Sequence, residues 1–292
     1  MNHIFSNTVI KTKQISKDHH FVPKTYIKRF YDDNNKVWRV DLKNKRIKDF
    51  TATQIFYEPF FHNITYNGEK YLEIEDSYRD LEDQIGQLYI KLQDVKDFKF
   101  LEGDQEVNSA FFYILKTIVI FQYFRTKDID PNMFLKTCLN LSDIYEKKKE
   151  YFKNFSQDIK SSDLLIFEKI LRKDIKKGRT GDVKNTLKAL QYAILPIILS
   201  DYSKTPIRIK LFPSKCLITS DKPVVTKSKE DILTFNNFIY AFTPNILIYS
   251  LGDDITNDLV KKHDLLNDFI KENATSYIIS HDKNLLKNTC NK

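Results

Sequence analysis

Two adjacent histidines, His19 and His20, are the first side chains in this sequence that could do acid–base chemistry. An imidazole changes charge near neutral pH, so it can act as a general base or bind a metal ion. Side chains of an extended segment alternate between its two faces, so only one of the pair would enter a given site. The alternative is structural, with one ring packed and the other in water. Apolar residues follow at helical spacing, which predicts a short packed helix carrying Tyr26.

Gln122 and Arg125 are a second polar pair, three residues apart in an otherwise apolar segment. Residues at this spacing are neighbours on one side of a helix. An arginine at the end of a buried helix needs an anionic partner or a route to solvent. That partner could be a structural carboxylate, or the phosphate or carboxylate of a ligand.

Carboxylates occur at two further places. Glu75 and Glu82 are seven residues apart, so a helix would put both beside one apolar stripe, although a solvated acidic face is the alternative. Asp221 follows an apolar segment and could be a metal ligand, a general base or the partner of Arg125. Its neighbour Ser220 could be a nucleophile, but no Gly-x-Ser-x-Gly motif surrounds it. The alternative is a turn in which both side chains bond to the backbone.

The elements that must position these residues form a helical middle with strands near both ends. Helices are predicted over 74–88, 107–124, 131–155, 161–177, 182–195 and 258–273. Strands are predicted over 37–42, 46–50, 208–212, 215–219, 239–243, 246–251 and 277–280. We therefore predict a flexible N-terminal segment, 1–17, and one α+β domain over 18–292. Its mainly helical middle would sit beside a small mixed or antiparallel sheet built from N- and C-terminal segments.

The composition is that of a folded protein, since 41% of the residues are hydrophobic. The net charge of +8 is a mild excess that aids solubility and also suits an acidic partner such as nucleic acid. Three widely spaced cysteines indicate neither a disulfide framework nor a zinc site. The first residues lack a secretory signal, and the longest apolar stretches are too short to cross a bilayer. We therefore expect a cytoplasmic protein without membrane contact.

These segments, in this order, resemble the bacterial family known as domain of unknown function 4238. The resemblance covers nearly the whole chain and is carried by His19–Phe30, Trp38–Asp41, Glu75–Glu82, Gln122–Thr126 and Thr219–Val224. Lys222 stands where the family usually has Asn, so a role for that amide does not carry over. The resemblance implies that the polar groups lie together in one fold. It also implies a similarity to accessory bacterial proteins, often mobile or associated with phage defence, but it brings no reaction.

The leading hypothesis is a hydrolase, in its narrower form a nuclease. Its catalytic residues would be His19 or His20, Glu82, Gln122, Arg125 and Asp221. One histidine would be a general base or metal ligand. Asp221 and Glu82 would position it or bind the metal, and Arg125 would clamp a phosphate or stabilise developing charge. Tyr26, Arg125 and Ser220 would contact the substrate. A divalent metal, Mg²⁺ or Mn²⁺, would bind at His20 and Asp221, and nucleic acid would be the partner.

The alternative is a non-catalytic sensor or interaction module that binds a ligand or nucleic acid. The same residues would then form a buried polar network or a pocket for a small anion. An enzyme requires the side chains to converge on an open cleft, whereas a structural network predicts that they are sealed from solvent. The substrate and the oligomeric state stay open.

Overall fold

The structure, a computed structural model, describes residues 17–61, 64–66, 69–71, 82–83, 85–87, 105–127, 131–149, 161–184, 186–187 and 206–291. Its strands are β1 (Asp18–His20), β2 (Val37–Asp41), β3 (Arg46–Phe50), β4 (Tyr57–Pro59), β5 (Ile64–Tyr66), β6 (Glu69–Tyr71), β7 (Arg208–Leu211), β8 (Thr219–Ser220), β9 (Val224–Val225), β10 (Phe238–Thr243), β11 (Ile246–Ser250) and β12 (Tyr277–Ser280). Its α-helices are α1 (Lys24–Ile27), α2 (Gln105–Arg125), α3 (Leu135–Cys138), α4 (Leu141–Lys147), α5 (Ser161–Lys176), α6 (Lys229–Leu233), α7 (Asn257–Lys261), α8 (His263–Asn273) and α9 (Lys283–Asn291). Short 3₁₀ helices cover Lys28–Phe30, Ala52–Gln54 and Pro131–Phe134, and residues 82–83 and 85–87 are helical. This combination of helices and antiparallel strands confirms the α+β class.

The chain forms two compact units. One consists of Met1–His19, Pro59–Asp80 and Asp128–Ser203, and the other of His20–Glu58, Leu81–Lys127 and Lys204–Lys292. We call the second the site unit, because most of the predicted site residues belong to it. The predicted division into residues 1–17 and a single domain stays a prediction.

The first sheet of the site unit joins strands from both ends of the chain. Its order is β3-β2-β12-β8, and every neighbouring pair is antiparallel. The β2–β3 hairpin turns at Asp41, whose Oδ1 accepts hydrogen bonds from the backbone of Lys43 and Asn44. Helix α9 packs against β12 and β2, and α8 packs against β8. The prediction that the N- and C-terminal segments share a sheet is confirmed.

The second sheet of the site unit has the order β7-β11-β10-β9 and is also antiparallel. Its strand β10 is a continuous apolar run, and all six of its residues are buried. A strand of this kind is buried on both faces. Helix α2 is buried on nearly every side from Leu115 to Arg125, which confirms the predicted core helix.

The predicted strand 215–219 is wrong over most of its length, since only Thr219 and Ser220 pair with a neighbouring strand. The backbone N–H groups of Cys216 and Leu217 instead donate to the carbonyl of Pro244, at 2.9 and 2.8 Å. The N–H of Ile218 donates to Oδ1 of Asn267, at 3.0 Å. These partners satisfy the backbone without a ladder.

Two predicted helices are interrupted. Residues 258–273 form α7 and α8, which are separated at Lys262, whose φ of −112° and ψ of 109° are extended. The described part of 131–155 divides at Asn140 into α3 and α4. In the compact unit that contains residues 128–203, buried Glu168 of α5 accepts hydrogen bonds from the Ser142 backbone and hydroxyl, which fixes the start of α4.

Several predictions fall outside the described residues. These include Glu75, most of the helices 74–88 and 182–195, and nearly all of the segment 1–17. Within the described ranges, no helix is both long and apolar enough to cross a membrane.

Candidate functional site

His20 lies at the end of β1 and is only 4% exposed. Its Nε2 donates to the carbonyl of Ala52 at 3.1 Å, because a carbonyl oxygen can only accept. This contact fixes the tautomer with a proton on Nε2. Its ring also lies 5.5 Å from the ring of Tyr57. While this arrangement lasts, Nε2 can neither accept a proton nor bind a metal ion.

His19 belongs to the other compact unit. It is 1% exposed, and its ring meets the edge of Phe60 at 6.4 Å. Among the described residues, no group of three or more His, Cys, Asp or Glu side chains could hold a metal ion. The roles assigned to both histidines and the divalent metal stay predictions.

Arg125 ends helix α2 and is the largest fully buried side chain among the described residues. Its Nε donates to the carbonyl of His20 at 2.7 Å, and its Nη1 donates to Oε1 of Glu82 in an ion pair. The buried guanidinium thus has a structural carboxylate as its anionic partner. The bonds also connect α2, His20 of β1 and the helical residues 82–83.

Asp221 lies in the turn after β8, where its carboxylate accepts three backbone hydrogen bonds. Oδ1 accepts from Thr275 at 3.0 Å, and Oδ2 accepts from Ser276 and Tyr277 at 2.8 and 3.2 Å. Burial raises the pKa of this carboxyl, and the three N–H groups oppose that rise. Asp221 therefore fixes the start of β12 against β8. The carboxylate that pairs with Arg125 is that of Glu82.

Ser220 makes a local turn of the kind named above as the alternative to a nucleophile. Its hydroxyl accepts from the backbone N–H of Lys222 at 3.0 Å and donates to the carbonyl of the same residue at 2.9 Å. The side chain is fully buried. Both bonds are short-range and hold the chain in the Asp221 turn.

Tyr26 connects helix α1 to both sheets. Its hydroxyl donates to the carbonyl of Ala241 in β10 at 2.7 Å and accepts from Oγ1 of Thr219 in β8, also at 2.7 Å. Its ring is stacked on Tyr240, with centroids 5.4 Å apart and planes 19° from parallel. The hydroxyl is thus occupied by structural bonds, and the ring forms a wall.

A small pocket lies beside this wall, within the site unit. It is lined by Pro23, Thr25, Tyr26, Glu82, Ile85, Ile118, Phe121, Gln122 and Tyr240. The empty space inside it is about 210 Å³, counting the part open to solvent. The volume that the centre of a water molecule can occupy is only about 10 Å³. That inner space is enough for about one water.

Two buried polar atoms of the pocket lining have no hydrogen-bond partner in the described structure. They are Oγ1 of Thr25 and Nε2 of Gln122. The Gln122 side chain is only 2% exposed. A buried polar group normally has a partner, so each exception needs a reason. A bound molecule that reaches both atoms would supply the partner.

The pocket brings together some of the predicted site residues and not others. Gln122, Glu82 and Tyr26 line it, and Arg125 holds Glu82. Asp221 and Ser220 make the separate turn contacts described above. Sequence reasoning missed Thr25, although it stands beside Tyr26 in the same motif, and it missed Tyr240, which the apolar run of β10 conceals.

Comparison with known proteins gives one family and no individual relative. Residues 18–284 match the family model described as protein of unknown function (DUF4238). No curated protein and no solved structure matches the chain.

Proposed function

The chain belongs to the DUF4238 family, and from this premise we propose that it is a non-catalytic module that binds a small ligand in the Gln122 pocket. The observation that carries the proposal is the pair of unpartnered polar atoms, Thr25 Oγ1 and Gln122 Nε2, in the lining of one pocket. Leaving a buried polar group without a partner costs about 1–3 kcal/mol. A ligand that bonds to both atoms would recover that cost.

The hydrogen bonds of the ionisable residues predicted for the site support binding rather than catalysis. His20 Nε2 donates to a carbonyl, Asp221 accepts three backbone hydrogen bonds, and Arg125 is paired with Glu82. A general base must be able to take a proton from a water or substrate within hydrogen-bonding reach. The Glu82 carboxylate already serves as the anionic partner of a buried arginine, which is a structural role.

The exposure of the lining residues indicates where a ligand would enter. Tyr26, Phe121, Gln122 and Tyr240 are each no more than 2% exposed. The Glu82 side chain is 17% exposed, and Thr25 is also partly exposed. The mouth of the pocket therefore lies at Thr25 and Glu82, with Gln122 further in.

The first test measures stability, because it needs no known ligand. Gln122→Met keeps the size of the side chain but removes the unpartnered amide, so the free energy of unfolding should rise by about 1–3 kcal/mol. Gln87→Met is the matched control, since Gln87 is exposed and does not line the pocket. Urea unfolding followed by the fluorescence of Trp38, the single tryptophan, reports on the site unit. A loss of stability in Gln122→Met would contradict the proposal, since the amide would then have a structural partner.

The second test addresses the rival, hydrolysis of nucleic acid. Purified protein is incubated with labelled single- and double-stranded RNA and DNA, with Mg²⁺, Mn²⁺ or EDTA. We expect no cleavage. Cleavage that disappears in a folded Glu82→Gln or Asp221→Ala variant would overturn the binding module and restore the nuclease.

A further inference from the structure

We propose that one face of the first sheet binds single-stranded nucleic acid through its phosphates. We call it the Arg39 face, and its members are Arg39 in β2, Arg46, Lys48 and Phe50 in β3, and Tyr277 in β12. None of these residues lines the Gln122 pocket, so this is a second binding site, separate from the proposed ligand pocket.

The strand register places these five side chains on the same side of the sheet. Residues two apart on a strand share a face, and so do residues directly opposite each other on neighbouring strands. The paired positions are Arg39 with Lys48, Asp41 with both Arg46 and Tyr277, and Val37 with Phe50. The other face of β2 is covered by helix α9, where Lys283 Nζ lies 4.7 Å from the centre of the Trp38 ring.

The guanidinium of Arg39 is held between two aromatic rings. Its central carbon lies 4.1 Å from the centre of the Phe50 ring and 4.4 Å from the centre of the Tyr277 ring. These contacts hold the side chain in place and leave the N–H groups in its plane unused. Within the described part of the chain, no hydrogen bond or ion pair engages those N–H groups. They form a planar fork that matches the oxygens of a phosphate.

The cations of the Arg39 face outnumber its acidic groups. Arg39 and Lys48 lie directly opposite each other, and like charges in this arrangement lower the stability of a sheet. Arg46 and Lys48 are both exposed. Asp41 is the acidic residue at the paired positions, and its carboxylate already accepts three hydrogen bonds in the hairpin turn. A chain of phosphates would relieve the repulsion between the cations.

The exposure of the face favours a single strand over a membrane or a duplex. Its aliphatic residues, Val37 and Ile279, are buried, so neither can insert into a bilayer. Phe50 and Tyr277 are partly exposed, and aromatic surface beside cations is the arrangement that binds the bases and phosphates of a single strand together. The bases of a duplex are stacked on each other, so the two rings would add nothing to duplex binding.

The test is fluorescence anisotropy of the full chain with three labelled probes: a single-stranded RNA of mixed sequence, a DNA duplex of the same sequence, and polyglutamate. We expect the single strand to bind most tightly, with an affinity that falls as salt rises. Arg46→Gln combined with Lys48→Gln removes two phosphate contacts. It should weaken RNA binding about tenfold at physiological salt and flatten the slope of log affinity against log salt by about 1.4. Absence of RNA binding, or tighter binding of the duplex or of polyglutamate, would disprove the inference.

The matched control removes two exposed cations of helix α5, with Lys169→Gln and Lys173→Gln. It lowers the net charge by the same amount, so RNA binding should fall much less than in the variant of the Arg39 face. An equal or larger fall in the control would place the binding elsewhere on the surface and contradict the inference.

Arg39→Lys tests the fork separately, because it keeps the charge and removes the planar set of donors. It should weaken RNA binding severalfold and leave the salt slope unchanged. Urea unfolding followed by Trp38 fluorescence checks that this variant is folded. An unchanged affinity in the folded variant would refute the role of Arg39 as a phosphate ligand.

Discussion

Removing the Glu82 carboxylate should destabilise the site unit far more than removing a similar carboxylate from the surface. Glu82→Gln would remove the carboxylate that pairs with the Arg125 guanidinium, whose side chain is 1% exposed. Breaking a buried pair from one side typically costs about 3–5 kcal/mol, because the remaining charge stays buried. The matched control is Glu58→Gln, since Glu58 pairs with Lys127 while 36% exposed. A surface pair of that kind is worth about 0–1 kcal/mol.

The second half of the cycle removes the buried charge itself. Arg125→Met leaves the His20 carbonyl without its donor, at a cost of about 1–3 kcal/mol. Glu82 alone can turn towards solvent, since it is already 17% exposed. Glu82→Gln added to Arg125→Met should therefore change stability little, and the two single effects should not add.

Urea unfolding followed by Trp38 fluorescence measures all four proteins of the cycle and the control. A free energy of unfolding for Glu82→Gln within about 0.5 kcal/mol of the wild type, the usual effect of a surface substitution, would refute a buried ion pair. Single effects that simply add in the double variant would refute it as well.

Three further predictions concern other buried groups. Burial lowers the pKa of Lys116 from 10.5 to about 8, so at pH 7 the folded protein holds a buried charge at a cost in stability. Lys116→Met should therefore raise the free energy of unfolding at pH 7 by at most about 3 kcal/mol. That gain should shrink between pH 8 and 10.5, where the lysine loses its proton. A gain that is independent of pH in a urea series would contradict this. Tyr26→Phe should lower the free energy of unfolding in urea by about 1–3 kcal/mol, because Ala241 O and Thr219 Oγ1 lose their partner. An unchanged stability would contradict this prediction. Burial also lowers the pKa of His281 below 6.5, so the unfolded chain binds a proton first and stability should fall as the pH drops through 6.5. Thermal unfolding should show this fall reduced in His281→Asn, and an equal fall in both proteins would count against it.

Local sequence patterns predicted the elements that local physics determines. The alternation in Val37–Asp41 and Arg46–Phe50 gave a hairpin because side chains of a half-buried strand alternate between faces. The apolar segment before Arg125 gave a buried helix for the same kind of reason. The need of Arg125 for an anion followed from the cost of burying a charge, although sequence alone left several partners open.

The errors come from contacts between residues far apart in the chain. Residues 215–218 have an apolar pattern typical of a strand, but the N–H groups of residues 216–218 bond to Pro244 and Asn267, which no local pattern reveals. Helix 258–273 divides at Lys262, two residues after Val260, whose carbonyl accepts from Lys210, fifty residues earlier than Val260. In the candidate site, Thr25 could not be singled out from the sequence, because only the fold brings it into the same pocket as Gln122.

The first sheet has a consequence for how the protein is made. Strand β12 lies between β2 and β8, so the early hairpin β2–β3 gains its central neighbour only after residue 280 has left the ribosome. Contacts between distant segments form late, because closing a long loop costs entropy before the contact can repay it. The edge of β2 that pairs with β12 therefore stays unpaired through most of translation. An exposed edge is a template for pairing with other chains, so a stalled or truncated copy would be prone to aggregation.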